Sequence, residues 1–374
     1  MKSVAENYLA ILQYQDHDAV PVLEFGYWPE LVADWRAKGL LTREECDTLD
    51  HGNFYASVDP ISKRLGFDVP AVEFGFASSL FPAFESKILR TLPDGSIHRL
   101  NHEGVITLEV PGATSISSEI EHLLTDRASW EKDFLPRMQW DAKRLGDNLA
   151  ERIEKFNNAP DKVRRLSVGS AIGTIRNILG IVGLSYMQVD DPELLHEIIR
   201  TFADISYQGV KTLLEAGLRP QMAHYWEDIS FNHGPLVSPA FFEEEIVPVY
   251  QRMTALLRSY GCELISVDSD GKLDELVPLF LKGGVNIMFP IEIGTWQTDF
   301  AQWRKEHGRE VRGIGGMNKH VLSCDKAAVD AEIERLKPWV ELGGYIPCPD
   351  HRLPPGTKFE LVQYYTDQFR KAFC

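Results

Sequence analysis

Leu264-Ile-Ser-Val-Asp-Ser-Asp-Gly271 reads as a short buried strand, Leu264 to Val267, that delivers two carboxylates at its carboxyl end. Strand side chains alternate between faces, so residues two apart point the same way. Asp268 and Asp270 therefore converge on one spot if the strand geometry persists to its tip. Gly271 then turns the chain into the helical pattern Lys272-Leu-Asp-Glu-Leu-Val277. Such a pair serves a metal or acid/base chemistry. The plainer alternative is that Asp270 caps the following helix while Asp268 is hydrogen-bonded in the turn.

Outward from this stretch the same strand-then-helix unit recurs. Strand-like segments occur at 18–26, 69–76, 165–170, 221–228, 285–290, 311–316 and 344–347, and helical patterns of 8 to 26 residues lie between most of them. Repeated β-then-α units imply a parallel sheet. This many in one chain predict a closed (β/α)8 barrel, an α/β TIM barrel, as a single domain over residues 1–374. An open doubly wound sheet would want an early glycine-rich phosphate loop between strand and helix, and none is present. The stretch 86–111 differs: alternating segments around Pro93-Asp-Gly95 and His102-Glu-Gly104 predict a small antiparallel insertion.

Composition narrows the function class. With 374 residues, 44% hydrophobic and 25% charged, the chain reads as an ordinary globular protein. A net charge of −16 without a Lys/Arg-rich run argues against nucleic acid. The most apolar stretch, Ile172 to Val189, is interrupted by Gly173, Arg176, Asn177, Gly180 and Gly183, which argues against a membrane span. The amino-terminal segment lacks the apolar core of a secretory signal. Five scattered cysteines without a CxxC pair fit a reduced, cytoplasmic setting.

In a barrel of this kind the site sits at the carboxyl ends of the strands. Those ends carry Glu24, Phe25, Tyr27 and Trp28; Ser170 and Arg176; His224, Glu227 and Asp228; Asp268 and Asp270; Glu292; Asn318; and Cys348, Asp350 and His351. Carboxylates and imidazoles projecting from separate strands are what a catalytic divalent metal requires. Each also has a structural reading. His224 can bond a carbonyl in the barrel wall, Glu227 and Asp228 can pair with arginine, His351 can be a loop histidine, and the aromatics can plug the barrel mouth.

The chain resembles the uroporphyrinogen decarboxylase superfamily, which includes cobalamin-dependent methyltransferases. The resemblance rests on Trp226-Glu-Asp-Ile-Ser-Phe-Asn-His-Gly-Pro-Leu-Val-Ser-Pro239, Val267-Asp-Ser-Asp-Gly271, Gly283-Gly-Val-Asn286, Gly315-Gly-Met-Asn-Lys319 and Gly343-Gly-Tyr-Ile-Pro-Cys-Pro-Asp-His-Arg-Leu-Pro-Pro355. Ala19-Val-Pro-Val22 near the start extends it over nearly the whole chain. It implies the (β/α)8 barrel already expected from the strand and helix pattern.

The departures bear on activity. True decarboxylases of the superfamily carry an arginine-rich segment after the first strand, where this chain has Glu24-Phe-Gly-Tyr-Trp28 and no arginine before Arg36. A polycarboxylate porphyrinogen is thereby disfavoured. In the thiol-directed methyltransferases zinc is held by a His-x-Cys pair and a later Cys. Here Asp268-x-Asp270 fills the first place, and His351 or Cys348 falls nearest the second.

A harder, more Lewis-acidic site follows, suited to polarising an oxygen. The resemblance implies an O-demethylase-type methyltransferase that uses Zn²⁺ and passes a methyl group from a methoxylated small molecule to cobalamin on a partner corrinoid protein. A homodimer is compatible with it. Asp270, His351, Glu227 and Asp268 are the implied metal ligands, with His224, Glu227 and Asp268 in catalytic roles. Phe25, Tyr27, Trp28, Arg176 and Asn177 are the implied substrate contacts. Two alternatives remain open: decarboxylation of a small acid held by Arg176, and a non-catalytic binding barrel in which both aspartates are turn caps.

Overall fold

A computed structural model describes residues 1–47, 60–113 and 117–373. In chain order its strands are β1 (Ala71–Phe74), β2 (Lys87–Thr91), β3 (Ile97–Leu100), β4 (Val105–Glu109), β5 (Ser118–His122), β6 (Val163–Gly169) and β7 (Met222–Trp226). They continue as β8 (Ser230–Phe231), β9 (Gly234–Pro235), β10 (Leu264–Asp268), β11 (Ile287–Ile291), β12 (Arg312–Met317) and β13 (Tyr345–Pro349). Seven of them form one curled sheet in the order β1-β6-β7-β10-β11-β12-β13, with every pairing parallel. The organising stretch is β10, flanked by β7 and β11 near the middle of that order.

The eighth place in the barrel differs from the expected regular strand at 18–26. The backbone there is extended but pairs only in patches. The Asp68 N–H donates to the Val22 carbonyl (2.8 Å), the Leu353 N–H to Gly26 (2.9 Å) and the Trp28 N–H to Leu353 (3.1 Å). Tyr27 and Leu353 form an isolated parallel bridge. Pro21 removes a ladder donor, and Gly26 at φ 100° breaks the pleat, so a continuous ladder cannot form. The barrel closes through this irregular segment.

Helices pack around the sheet for reasons visible locally. Pro192–Glu215 begins at Asp191, whose side chain accepts from the Leu194 N–H, and has proline in its first turn. Its inner stripe buries Leu195, Ile198, Ile199 and Phe202, each contributing roughly 1.5–3 kcal/mol when fully buried. The insertion is larger than the expected 86–111. It is a four-stranded antiparallel sheet, β2-β3-β4-β5, extending to His122. The fourth strand, Ser-Glu-Ile-Glu-His, is almost wholly exposed and polar, so it lacks the buried alternation that marks a strand in sequence. Among the described residues no helix is long and apolar enough to cross a membrane.

Candidate metal and substrate site at the strand ends

Asp268 is the last residue of β10, half-buried, and Asp270 lies beyond it in the turn that Gly271 completes at φ 96°. A Cβ at position 271 would lie 2.7 Å from the Ser230 backbone, so only glycine lets the two loops approach this closely. From the neighbouring strand end comes Asp228, held at φ 45°, a left-handed conformation unusual for a non-glycine residue. One ligand atom each from Asp228, Asp268 and Asp270 lies within 4.8 Å of the others. The Asp270 N–H donates to Asp228 Oδ1 (3.2 Å), which ties the two turns together. His351, after β13, places Nε2 3.1 Å from Asp270 Oδ2.

The electrostatics of this cluster are those of a site short of positive charge. Burial, then repulsion from Asp270, pushes the Asp228 acid up to about 7. Burial, then Asp228 and Asp270, drives Asp268 well above the usual carboxylate range. Glu292 is pushed up to about 7 by burial and by Asp270. Its Oε2 accepts from the Gly271 N–H (2.8 Å) and Trp296 Nε1 (2.6 Å).

Asp270 Oδ1 is buried and meets no hydrogen-bond partner among the described residues. Leaving a buried carboxylate oxygen unpaired is costly, and a divalent cation would satisfy it and quiet the mutual repulsion. The donor set is hard oxygen with one imidazole alongside, which suits such a cation. The residues therefore fit a metal.

Glu227 requires a correction. It is fully buried, and its carboxylate accepts from Ser170 Oγ (2.9 Å), the N–H groups of Ala171 (2.7 Å), Ile172 (3.0 Å) and Gly173 (2.7 Å), and Tyr250 OH (2.7 Å). These are the donors at the start of the helix Gly173–Asp190, where an anion is favoured. Glu227 anchors that helix and has no oxygen to spare for a metal. Burial raises its acid despite the donors that pull it down. The signal that separates it from Asp228 is parity: along β7 and its extension, His224, Trp226 and Asp228 share one face, and Glu227 belongs to the other. Asp228 is the member of the pair that lies with Asp268 and Asp270.

His224 is buried on β7, its Nδ1 2.7 Å from Ser266 Oγ, and burial with nearby Arg165 lowers its pKa well below the ordinary value. It is a neutral imidazole in the barrel interior. Cys348 is fully buried and donates to the Pro349 carbonyl (3.2 Å), and burial pushes its thiol far up. The contact with the acidic cluster is made by His351.

Phe25 and Trp28 flank that histidine. Their ring centroids lie 5.0 and 5.7 Å from it, the latter stacked at 22°, and Phe25 also packs on Phe289 at 4.8 Å. Tyr27 is a second correction. Its OH is 2.9 Å from Ser62 Oγ and its ring packs edge-on against Trp35, so it supports the packing of outer helices. Gly26 between Phe25 and Tyr27 interrupts the alternation that would have aligned them.

Arg176 and Asn177 lie in the first turns of Gly173–Asp190. The Arg176 guanidinium sits 5.8 Å from the Trp226 ring and is close enough to Asp228 to lower its pKa; its Nε is buried without a partner among the described residues. The insertion's Glu103 faces both residues.

Three comparisons bear on this architecture. The family profile described as Uroporphyrinogen decarboxylase (URO-D) matches residues 168–372. Among solved structures, a methyltransferase from Methanosarcina mazei superposes with a TM-score of 0.60 at 15% identity, over 99% of both chains, a likeness of fold alone. A B12-independent methionine synthase from Shewanella sp. W3-18-1, in complex with selenomethionine, gives a TM-score of 0.47 at 13% identity over 95% of this chain and 98% of that one, too weak to argue from. No curated protein matches the sequence.

Proposed function

Because the chain belongs to the uroporphyrinogen decarboxylase family, we propose that its acidic strand-end cluster holds a divalent metal and that the protein is a metal-assisted methyltransferase. The proposed donor is a methoxylated small molecule, and the proposed acceptor is cobalamin on a separate corrinoid protein. The observation that carries the metal reading is the convergence of Asp228, Asp268 and Asp270, with a buried, unpartnered oxygen on Asp270.

Asp228, Asp268 and Asp270 would hold the ion, zinc being the first candidate, and His351 would orient Asp270 or join the ligands. When bound, such an ion supplies Lewis acidity at a departing oxygen. Trp28 and Phe25 form an apolar wall against which a methoxylated ring can lie, and they exclude water from that side. Arg176 offers a cation to an anionic substituent. Glu292 holds the turn after β10 by accepting from the Gly271 N–H, and so keeps Asp270 aimed at the cluster.

Elemental analysis of protein purified without chelator tests the metal. The expectation is about one divalent ion per chain, lost in Asp270→Ala and retained in Glu227→Gln. A folded, metal-free wild type would remove the ligand assignment. Methyl transfer to a corrinoid protein from a panel of methoxylated compounds tests the reaction. The buried Arg176 Nε also favours a second reading, decarboxylation of a small acid gripped by that arginine. Release of CO₂ without any corrinoid would select it.

A further inference from the structure

The helix Gly173–Asp190 is broken at Gly180, which sits at φ 69°. The insertion pins the break. His122 Nδ1 lies 3.1 Å from the Ile178 carbonyl oxygen, and a Cβ at position 180 would come within 2.4 Å of the same ring. The second half of the helix is thereby held beside β5 as one surface. Its inner side buries Leu184 and Met187. Its outer side carries Ile181, Val182, Ser185, Tyr186 and Val189, related by the i, i+4 spacing of a single face. No charged residue occurs between Arg176 and Asp190.

A helix that is apolar on its inner and outer sides is ordinarily covered on both. Here Ile181, Val182, Tyr186 and Val189 are 49%, 68%, 66% and 80% exposed, and Ile120 on β5 is 44% exposed. Ile120, Val182 and Tyr186 line one groove of about 570 Å³ between strand and helix. Together the five expose the equivalent of about three whole side chains, or roughly 500 Å² at about 150–200 Å² each. A stable interface buries about 800 Å² per partner, of which roughly 60% is apolar, or about 480 Å². The exposed face matches the apolar part of one such interface.

We propose that a second copy of this chain covers this face, helix against helix about a two-fold axis. An uncharged apolar stripe is complementary to itself, as a two-fold interface requires. It offers no charge with which to select a basic or an acidic partner. The exposed acids Glu121, Asp126 and Asp190 stand at the edge of the groove and repel their counterparts in a copy that also carries −16. Salt screens that repulsion and leaves the apolar contact, so the dimer tightens as ionic strength rises. The inference is independent of any metal and of the reaction at the strand ends.

Sedimentation equilibrium of the full chain tests this. The expected result is a mass twice that of the chain at about 20 µM, with a dissociation constant that falls at least about threefold between about 0.05 and about 0.5 M NaCl. Val182→Glu combined with Tyr186→Glu places like charges at exposed positions on both copies. The circular dichroism of this variant should be unchanged, and its dissociation constant should rise about a hundredfold or more. Ile88→Glu, at a comparably exposed apolar position on β2, is the control and should keep the dimer. A chain that stays monomeric at about 100 µM overturns the proposal. So does a dimer that persists in the double variant, is lost in Ile88→Glu or is weakened by salt. A monomer that instead binds phosphatidylcholine vesicles through Val182 and Tyr186 assigns the face to a lipid surface and equally overturns the proposal.

Discussion

Replacing Glu227 separates a structural carboxylate from a metal ligand. In the native protein this side chain satisfies three backbone N–H groups at the start of Gly173–Asp190, together with Ser170 Oγ and Tyr250 OH. Glu227→Gln keeps the volume but replaces one acceptor oxygen with an NH₂ group that faces donors. At least two of the N–H or hydroxyl groups then lose their partner in a fully buried place. At roughly 1–1.5 kcal/mol for each buried donor left unpaired, the loss is about 2–3 kcal/mol. Glu227→Ala orphans all of them and also removes charge from the helix start, for a loss of about 4 kcal/mol or more. Urea denaturation followed by circular dichroism reads both, and divalent-ion binding is measured on the same folded Glu227→Gln protein. The reasoning requires a lowered midpoint with ion binding retained. An unchanged midpoint would refute the anchoring role, and loss of the ion from folded Glu227→Gln protein would return Glu227 to the ligand set.

The pH dependence of the metal-free protein has a definite sign. Asp228 and Glu292 titrate at about 7 in the fold, above their unfolded values of about 4, so the native state holds protons that the unfolded chain has released. Their contribution to stability is therefore greatest at low pH and is lost as pH rises from about 4 through about 7. Thermal melts in chelator should fall across that window, and added divalent ion should flatten the slope. Asp270→Asn removes the charge that pushes Asp228, Asp268 and Glu292 upward. It should raise the metal-free melting temperature at alkaline pH while weakening divalent-ion binding by at least about tenfold, read by melts and by metal titration. Gly173→Ala would place a Cβ 2.0 Å from the Glu227 carbonyl oxygen. The expected loss is about 3 kcal/mol in urea denaturation, and a neutral result would contradict the close approach of these loops.

Much of the fold was legible in the residues alone. Seven of the strand-like segments carry apolar runs of strand length between helical patterns, and each became a parallel strand within a few residues of the expected bounds. The information there is local: alternation, helix period and turn residues act within a dozen positions. The segment 18–26 was harder to read, because its apolar residues look strand-like while Pro21 and Gly26 prevent the ladder. The charged stretch 35–49 also carries a helical pattern in sequence, and its last residues lie outside the described residues.

The site divides along the same line. Asp268, Asp270 and His351 could be singled out because strand-end position and i,i+2 spacing are properties of sequence. Which member of Glu227-Asp228 faces the cluster was decided by strand register, and one residue of parity exchanges a helix anchor for a candidate ligand. Tyr27 went to the packing of Trp35 because the backbone turns at Gly26. The sequence by itself determined the barrel, the family and the acid-rich strand ends, since these follow from short-range pattern. Only the tertiary structure decided that Asp228 joins Asp268 and Asp270 and that Glu227 holds a helix start. Each of those depends on which groups from distant segments meet in a space closed to water, where an unpaired donor or charge is costly enough to settle the arrangement.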